Sequence, residues 1–397
     1  MERIVLGLSG GVDSSVAAYL LKKQGYEVVG VYMINWKETV GTLSGECPYE
    51  DDILIAELVA RKLDIEFHSV DLSEMYRERV VDYMFSEYEK GRTPNPDVLC
   101  NREIKFDAFW DAAKRFGATK VATGHYCRKE VLEPLKTGQE PIYRLLAGSD
   151  PNKDQSYFLC QLSQEQLSTA LFPIGDIDKP EVRRIAEELG LATAYKKDSQ
   201  GICFVGKVDL PVFLQQKLEK KIGKVVEIPS DLKAYNRMIP EDLHERLKKQ
   251  AKPFYYRLKE GKVVGEHQGA HFYTVGQRKG LGIGGFEKPI FVLATDVEQN
   301  MIFVGEGVDH PGLYRKTLKI NTDEIHWVRP DRTLEIGQTA RYMVRERYRQ
   351  PLQAATLYRF EEGLYVDFEV PQQSITAGQF AAWYEGDEVI GSGAISE

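Results

Sequence analysis

Three short stretches of the chain carry residues whose types and spacing suit covalent chemistry. The first is Gly7-Leu-Ser-Gly-Gly-Val-Asp-Ser-Ser15, between an apolar run at Ile4 to Leu8 and a helical pattern at Ser14 to Gln24 closed by Gly25. Gly10 and Gly11 allow a sharp turn and let the backbone approach an anion with no Cβ in the way. Ser14 and Ser15 fall at the helix start, where unpaired N–H groups and the dipole favour phosphate. No lysine follows the glycines, so this is not a Walker loop, and the spacing does not fit G-x-G-x-x-G. A glycine turn capped by serines is the structural alternative.

The second stretch, Thr93-Pro-Asn-Pro-Asp-Val-Leu-Cys-Asn101, stiffens a loop with two prolines and sets Cys100 directly before a helical pattern. A thiol at a helix amino terminus has a lowered pKa, and Asp97 could orient a base or move a proton. A buried cysteine beside a turn aspartate is the bland reading. The third, Lys197-Asp-Ser-Gln-Gly-Ile-Cys-Phe204, places Cys203 after a glycine among apolar neighbours that would shelter a labile sulfur species. On local grounds alone a structural cysteine is the favoured reading there. Cys47, Cys127 and Cys160 have no comparable setting and read as structural.

These stretches need a scaffold, and the first two hundred residues supply an alternation of strands and helices. Strands are expected at Ile4–Leu8, Glu27–Met33, Ile65–Val70 and Lys120–Thr123; helices at Ile55–Leu63, Val80–Tyr88 and Ile104–Phe116. That alternation predicts a parallel sheet covered on both faces, with ligands beyond the carboxyl ends of its strands. After about residue 206 the texture becomes Lys-rich and Pro-punctuated, with a polar helix in PEDLHERLKKQ started near Pro240. From about Pro289, alternating segments separated by turns carry the rhythm of a β-barrel. The expected division is 1–205 for the α/β domain, 206–288 for a small central domain with a solvated excursion at 230–261, and 289–397 for the barrel.

Composition narrows the class. Five scattered cysteines with no CxxC exclude a disulfide scaffold and a zinc ribbon. No apolar run approaches a membrane span and the amino terminus lacks a signal-peptide pattern, so a cytoplasmic location without a membrane partner is expected. Net charge is −8, so any RNA site must be a local basic patch on an acidic body. Arg341, Arg345, Arg347 and Arg349 form one candidate; at period two the last three would share a strand face. Tyr348 would face the other way unless a bend exposes it. The Lys217 to Lys224 cluster reads as a solvated helix end.

SGGVDSS resembles the PP-loop of ATP pyrophosphatases, which implies that Ser9, Gly10, Gly11, Asp13 and Ser14 hold pyrophosphate and its magnesium. Beyond the loop, Met33 with Asn35-Trp36, GRTPNPDVLCN, EIKF, ATGHY, KDQSYFL, KPEVRRIAEELGLATAYKKDS, GICF, YTVGQRKGLGIGG and RYRQ follow one another as in the tRNA-specific 2-thiouridylase (MnmA) family, from Gly7 to about Gln379. The resemblance implies a PP-loop domain, a small central domain and a carboxyl-terminal β-barrel. It implies that Cys100 is the nucleophile, that Cys203 bears a persulfide, and that Asn95, Pro96 and Asp97 meet the target base. Gly7, Leu8, Ser9, Gly10, Gly11, Val12, Asp13, Ser14, Met33 and Gly124 would contact ATP. His125, Lys153, Asp154, Gln155, Arg347, Tyr348 and Gln379 would touch tRNA.

The implied reaction is ATP-dependent 2-thiolation of the wobble uridine (U34), through an adenylated base and a persulfide, or with sulfide as the attacking species. A cysteine desulfurase or sulfur-relay protein would load the sulfur, and an outside reductant would reset a Cys100–Cys203 disulfide. No metal is implied beyond Mg2+ with ATP. Gln200, where the family usually has Thr, and the long 230–261 stretch depart from the pattern. Another PP-loop adenylating enzyme, an amidotransferase or ligase, and a non-catalytic nucleotide-gated tRNA-binding module are the competing readings.

Overall fold

The computed structural model describes residues 1–38, 48–134, 138, 140–198 and 210–396. Cys47 and the 199–209 stretch, with Gln200 and Cys203, lie outside the described residues.

Strands β1 (Arg3–Gly7), β2 (Glu27–Ile34), β3 (Glu66–Asp71) and β4 (Lys120–Ala122) come first, then a hairpin of β5 (Cys127–Leu132) and β6 (Ile142–Ala147), then the short β7 (Ala170–Leu171). The sheet order is β3-β2-β1-β4-β7, all parallel. Central β1 is apolar on both sides because both faces are covered. Val5 joins Val29, Val31, Tyr76 and Phe109 in one core, while Ile4 and Leu6 join Val16, Ala17 and Val59 in the other. The chain leaves β1 toward β2 and returns on its other side as β4. Their carboxyl ends therefore form the topological switch point where such sheets bind ligands.

Two element boundaries differ from expectation in a way that matters for the site. The first helix runs Val12–Lys23, so it begins inside the glycine loop. The helix carrying Cys100 starts at Pro96, capped by Asn95, whose side chain accepts from Val98 N at 3.3 Å, and continues to 114. Cys100 is thus one turn inside the helix rather than directly before it. Asn95 as cap and proline in the first turn are the start signals. From Cys100 to Ala108 the helix is π-wound, a feature concentrated at functional sites.

The central sheet has the order β10-β11-β8-β9, with β8 (Gly223–Glu227), β9 (Lys262–His267), β10 (Ile290–Asp296) and β11 (Met301–Glu306). The sequence pattern assigns β10 and β11 to the start of the barrel; they pair with the central strands instead. Nor is the 230–261 excursion merely solvated. Its helix, Leu243–Ala251, is capped by Asp242, two residues after Pro240. It buries Leu247 and Ala251 against Tyr365 and stacks His244 on Phe360 at 3.8 Å. The excursion straps the central domain to the barrel.

The barrel comprises β12 (Tyr314–Trp327), β13 (Thr339–Arg345), β14 (Gln353–Phe360), β15 (Gly363–Gln373), β16 (Phe380–Glu385) and β17 (Glu388–Ile395). The order β12-β15-β14-β13-β16-β17 is closed by pairing of β12 with β17, which leaves no open edge within the ring. Trp383, Val344, Leu357, Val366 and Ile390 fill it. β6 pairs with β17, so the β5–β6 hairpin of the amino-terminal domain extends the barrel sheet. No described helix is long and apolar enough to cross a membrane.

That joint is held by charge. Glu388, 3% exposed, accepts from Arg144 of β6 at 2.7 Å and from Arg329, which also pairs with Asp331 at 2.8 Å. Removing one member of a buried pair leaves its partners uncompensated. Glu388→Ala is expected to cost about 3 kcal/mol of stability, read as a lowered urea midpoint followed through tryptophan fluorescence. A midpoint equal to wild type would show that the cluster does not hold the joint.

Candidate active site

The glycine loop is shaped by close approaches that only glycine permits. Gly10 has φ +69°, and a Cβ there would lie 2.5 Å from the Asp52 carbonyl oxygen. A Cβ on Gly124, just after β4, would lie 2.7 Å from Ser14 N. The two strand ends of the switch point are therefore pressed together at the start of the first helix. Ser9 N donates to Ser14 Oγ at 3.2 Å, and the Ser14 hydroxyl donates to Gly11 O at 3.1 Å. Met33, at the end of β2, packs over Gly7, while Leu8 and Val12 are buried, leaving their backbone as the part able to meet a nucleotide.

The loop lacks its own lysine, and the fold brings two from far along the chain. Lys179 Nζ lies 2.7 and 2.9 Å from the two Asp13 carboxylate oxygens. Lys196 Nζ donates to Gly10 O at 2.9 Å and pairs with Asp52. The Tyr126 hydroxyl donates to Asp13 at 2.7 Å; burial first, then the Asp13 charge, pushes that phenol up. Lys179 also meets Asp198 at 2.7 Å, as do Lys153 at 2.7 Å and Arg183 at 2.8 Å. Burial alone would raise the Asp198 carboxyl; its bonds with Lys153 and Lys179 more than reverse this and hold it at about 2. One ionic chain thus ties together four motifs: the glycine loop, ATGHY, KDQS and the lead-in to Cys203. Sequence reasoning singles out Asp13 and Lys153 but misses Tyr126, Lys179, Lys196 and Asp198, whose signal is only their place inside those motifs.

The Cys100 loop is fixed from all sides. Thr93 N donates to Ala377 O at 2.9 Å, and Gln379 Nε2 donates to the Thr93 and Pro94 carbonyls at 2.8 and 3.2 Å. Thr93 Oγ1 meets Thr274 Oγ1 of the central domain at 3.1 Å. The Tyr157 hydroxyl, fully buried, donates to Phe380 O at 2.9 Å. Asn101 Nδ2 donates to Asp97 O and Phe158 O, both at 3.0 Å. Asp97 stays partly exposed; Cys100 is fully buried. Cys127 and Cys160 are also buried, and burial raises both thiols, Cys160 to about 12. No disulfide joins described residues, and Cys203 lies outside them.

Further along the helix, Lys105 Nζ comes 3.4 Å from His125 Nε2, whose Nδ1 meets Thr123 Oγ1 at 2.7 Å. Burial, with the Lys105 charge adding to it, pushes His125 well below its ordinary value, so the ring is neutral. Phe109 of the same helix packs beside Gly7. The element that presents Cys100 therefore also touches both strand ends of the nucleotide loop.

The remaining expected RNA contacts have partners within the fold. Asp154 accepts from Gly148 N and Ser156 N and pairs with Arg345 at 3.4 Å; Gln155 Oε1 accepts from Tyr126 N at 3.0 Å. The arginines do not share a strand face, because β13 ends at Arg345 and the chain bends. Arg341 pairs with Glu369. Arg347 donates to Ser374 O at 2.6 Å and Thr376 Oγ1 at 2.7 Å. The bend swings Tyr348 onto Phe158, ring centroids 4.3 Å apart, with Arg349 over its outer side at 5.3 Å. For magnesium, no group of three or more carboxylates, histidines or cysteines gathers among the described residues. Asp13, a partly exposed hard oxygen donor, fits a cation that arrives with the phosphates.

Comparison with known proteins covers all three regions. The sequence family described as tRNA methyl transferase HUP domain matches residues 2–207. The tRNA methyl transferase PRC-barrel domain matches 241–306, and the Aminomethyltransferase beta-barrel domain matches 317–395. The tRNA-specific 2-thiouridylase MnmA of Christiangramia forsetii is 60% identical over 100% of both chains, and that of Flavobacterium johnsoniae 58% over 100% of both. The protein of the same name from Karelsulcia muelleri is 44% identical over 100% of this chain and 99% of its own.

Glu346, between the two arginines at the bend, is 1% exposed, and burial pushes its carboxyl up to about 7 against the opposing pull of Arg347. A raised acid binds its proton more tightly when folded, so its contribution is complete below the unfolded value near 4.5 and is lost as pH rises toward 7. Wild type should lose up to about 3 kcal/mol across that window relative to Glu346→Gln. Urea unfolding at pH 4.5 and 8 measures this; parallel pH dependence in the two proteins would refute it.

Proposed function

The chain belongs to the tRNA-specific 2-thiouridylase family, and on that premise we propose that it replaces the 2-oxygen of the wobble uridine (U34) of tRNA with sulfur, forming s2U34. It is a tRNA sulfurtransferase that uses ATP. The observation that carries the reading is identity of 58–60% over the entire length of two thiouridylases.

An unpaired wobble base is splayed out at less cost than one in a duplex. Its pocket would be the 93–97 loop, with Asn95, Pro96 and Asp97 facing the base. The glycine loop holds ATP so that the uridine O2 attacks the α phosphate and pyrophosphate leaves. Backbone amides from Ser9 to Ser14, with Lys179 and Lys196 alongside, offset the charge that develops on the departing oxygens. Magnesium held by Asp13 would supply further charge neutralisation there. The adenylated oxygen is now a good leaving group. The terminal sulfur of a Cys203 persulfide attacks C2 and AMP departs. Cys100, as thiolate, attacks Cys203 Sγ; the old S–S bond breaks with its electron pair left on the transferred sulfur, and a Cys100–Cys203 disulfide forms. A dithiol reductant restores both thiols, and a persulfide-donating desulfurase or relay protein reloads Cys203. In this account His125, Lys153, Asp154, Gln155, Arg347, Tyr348 and Gln379 shape the RNA-facing surface.

Mass spectrometry of nucleosides from unmodified tRNA incubated with enzyme, ATP and a persulfide donor should reveal 2-thiouridine at position 34, with pyrophosphate released only when tRNA is present. Pyrophosphate without thiolation would favour another adenylating enzyme, and neither product would favour a binding module. Cys203→Ser should abolish thiolation while leaving ATP and tRNA binding intact; full activity in that variant would end the persulfide assignment. Lys179→Met should lower kcat/KM for ATP by about a hundredfold with tRNA affinity unchanged. Equal loss of both affinities would mark it as a folding residue.

A further inference from the structure

Three of the four arginines of the motif are engaged within the fold: Arg341 and Arg345 are paired with carboxylates, and Arg347 is bound to Ser374 O and Thr376, while Arg349 lies over the Tyr348 ring. In the middle of the chain the balance is different. Residues 217–262 hold thirteen lysines and arginines against seven acidic residues, in a protein whose net charge is −8. Within that region Lys252, Arg257, Lys259 and Lys262 are all exposed and form no ion pair among the described residues. The one carboxylate among them, Glu260, accepts from the Arg257 backbone N–H at 2.7 Å. Tyr255, between the first two cations, is 80% exposed.

The fold gives this stretch a definite place. It leads through a 3-10 turn at Leu258–Glu260 into β9, the outer strand of the central sheet. The opposite outer strand, β10, is hydrogen-bonded at Val292 by Gly276 and Gln277, and nearby Thr274 touches the Cys100 loop. Three strand spacings separate the two edges, about 14 Å. RNA seated at the Cys100 loop would have to span at least the width of the central sheet to reach β9. An edge strand carries lysine to discourage pairing with other chains, which accounts for Lys262. Lys252, Tyr255, Arg257 and Lys259 precede the strand and guard no edge.

We propose that the exposed 252–262 stretch is a second tRNA-binding surface, taking the sugar–phosphate backbone of the tRNA outside the anticodon loop. The inference rests on the thiouridylase reading for the identity of the RNA. Unpaired cations on an acidic body attract phosphate through counterion release, and an exposed tyrosine offers a stacking or hydroxyl contact without sequence preference. The excursion's helix, anchored to the barrel through Leu247 and Ala251, would hold the stretch rigidly relative to the site.

The test compares full-length unmodified tRNA with its isolated anticodon stem-loop, using the triple variant Arg257→Glu, Lys259→Glu, Lys262→Glu and a charge-keeping control, Arg257→Lys, Lys259→Arg, Lys262→Arg. Filter binding at two salt concentrations, without ATP, should show full-length tRNA weakened about tenfold or more, with a salt slope shallower by about one for each phosphate that is no longer neutralised. Stem-loop affinity and thiolation should be unchanged, and the control should bind as wild type does. Wild-type affinity and slope for full-length tRNA would overturn the proposal, as would equal loss on both RNAs or loss only of a sulfur-donor protein. Binding is read without chemistry. A wild-type enzyme that binds both RNAs and thiolates neither would overturn the reading of function and leave the surface standing.

Discussion

The site depends on holding the 93–97 loop still, and no single domain can do that. In the proposed reaction the loop presents a base to a nucleotide on one side and a thiol on the other, so errors of an ångström in its placement would be costly. Its backbone is bound by Ala377 and Gln379 of the barrel, its Thr93 hydroxyl by Thr274 of the central domain, and its Asn95 side chain by Val98 N of the first domain. Gly378 has φ +90° and a Cβ there would meet the Thr93 carbonyl carbon at 3.0 Å, so barrel and loop are in backbone contact. The three domains are one catalytic scaffold rather than an enzyme with attachments. The shared β17–β6 pairing and the strap at Leu243–Ala251 follow from the same need, because a clamp works only if its jaws are fixed to each other.

A second dependence is ionic. A loop that grips phosphate without its own lysine must take cations from elsewhere, and here they come from 166 and 186 residues away. Lys179 is nearly buried and would be costly alone; three carboxylate oxygens from Asp13 and Asp198 compensate it. The same charges place Asp198 against the nucleotide loop. The glycine loop and the KKDS motif are therefore joined through one shared lysine, a relation invisible in either motif taken singly.

What the sequence makes legible is mostly local. The glycine loop, the alternation of strand and helix and the antiparallel rhythm near the end each rest on short-range pattern, and the architecture follows from them. The start of the Cys100 helix is also local, since Asn95 and Pro96 are capping signals, but a loop reading of TPNPD obscures them. Partnership over long range is not legible. β10 and β11 alternate as barrel strands do, and only register with β8 assigns them to the central sheet. Arg345, Arg347 and Arg349 have strand spacing, yet Arg349 takes φ +67° in a bend that spacing cannot reveal. Lys179 and Asp198 look like ordinary surface charges until the fold joins them.

An acidic enzyme for a polyanion is then less paradoxical than net charge makes it. Non-specific RNA affinity scales with the number of phosphates neutralised, so a body of net charge −8 releases unsuited RNA readily. Arg345 and Arg347 are bonded to Asp154, Ser374 and Thr376 and so help to hold the shape of the site. Attraction is left to exposed cations without ion pairs among the described residues, and those of the 252–262 stretch would act only on an RNA long enough to reach them while its wobble base sits at the clamped loop. Discrimination by overall shape is the expected consequence, because charge and chemistry are engaged together only by a molecule that spans both.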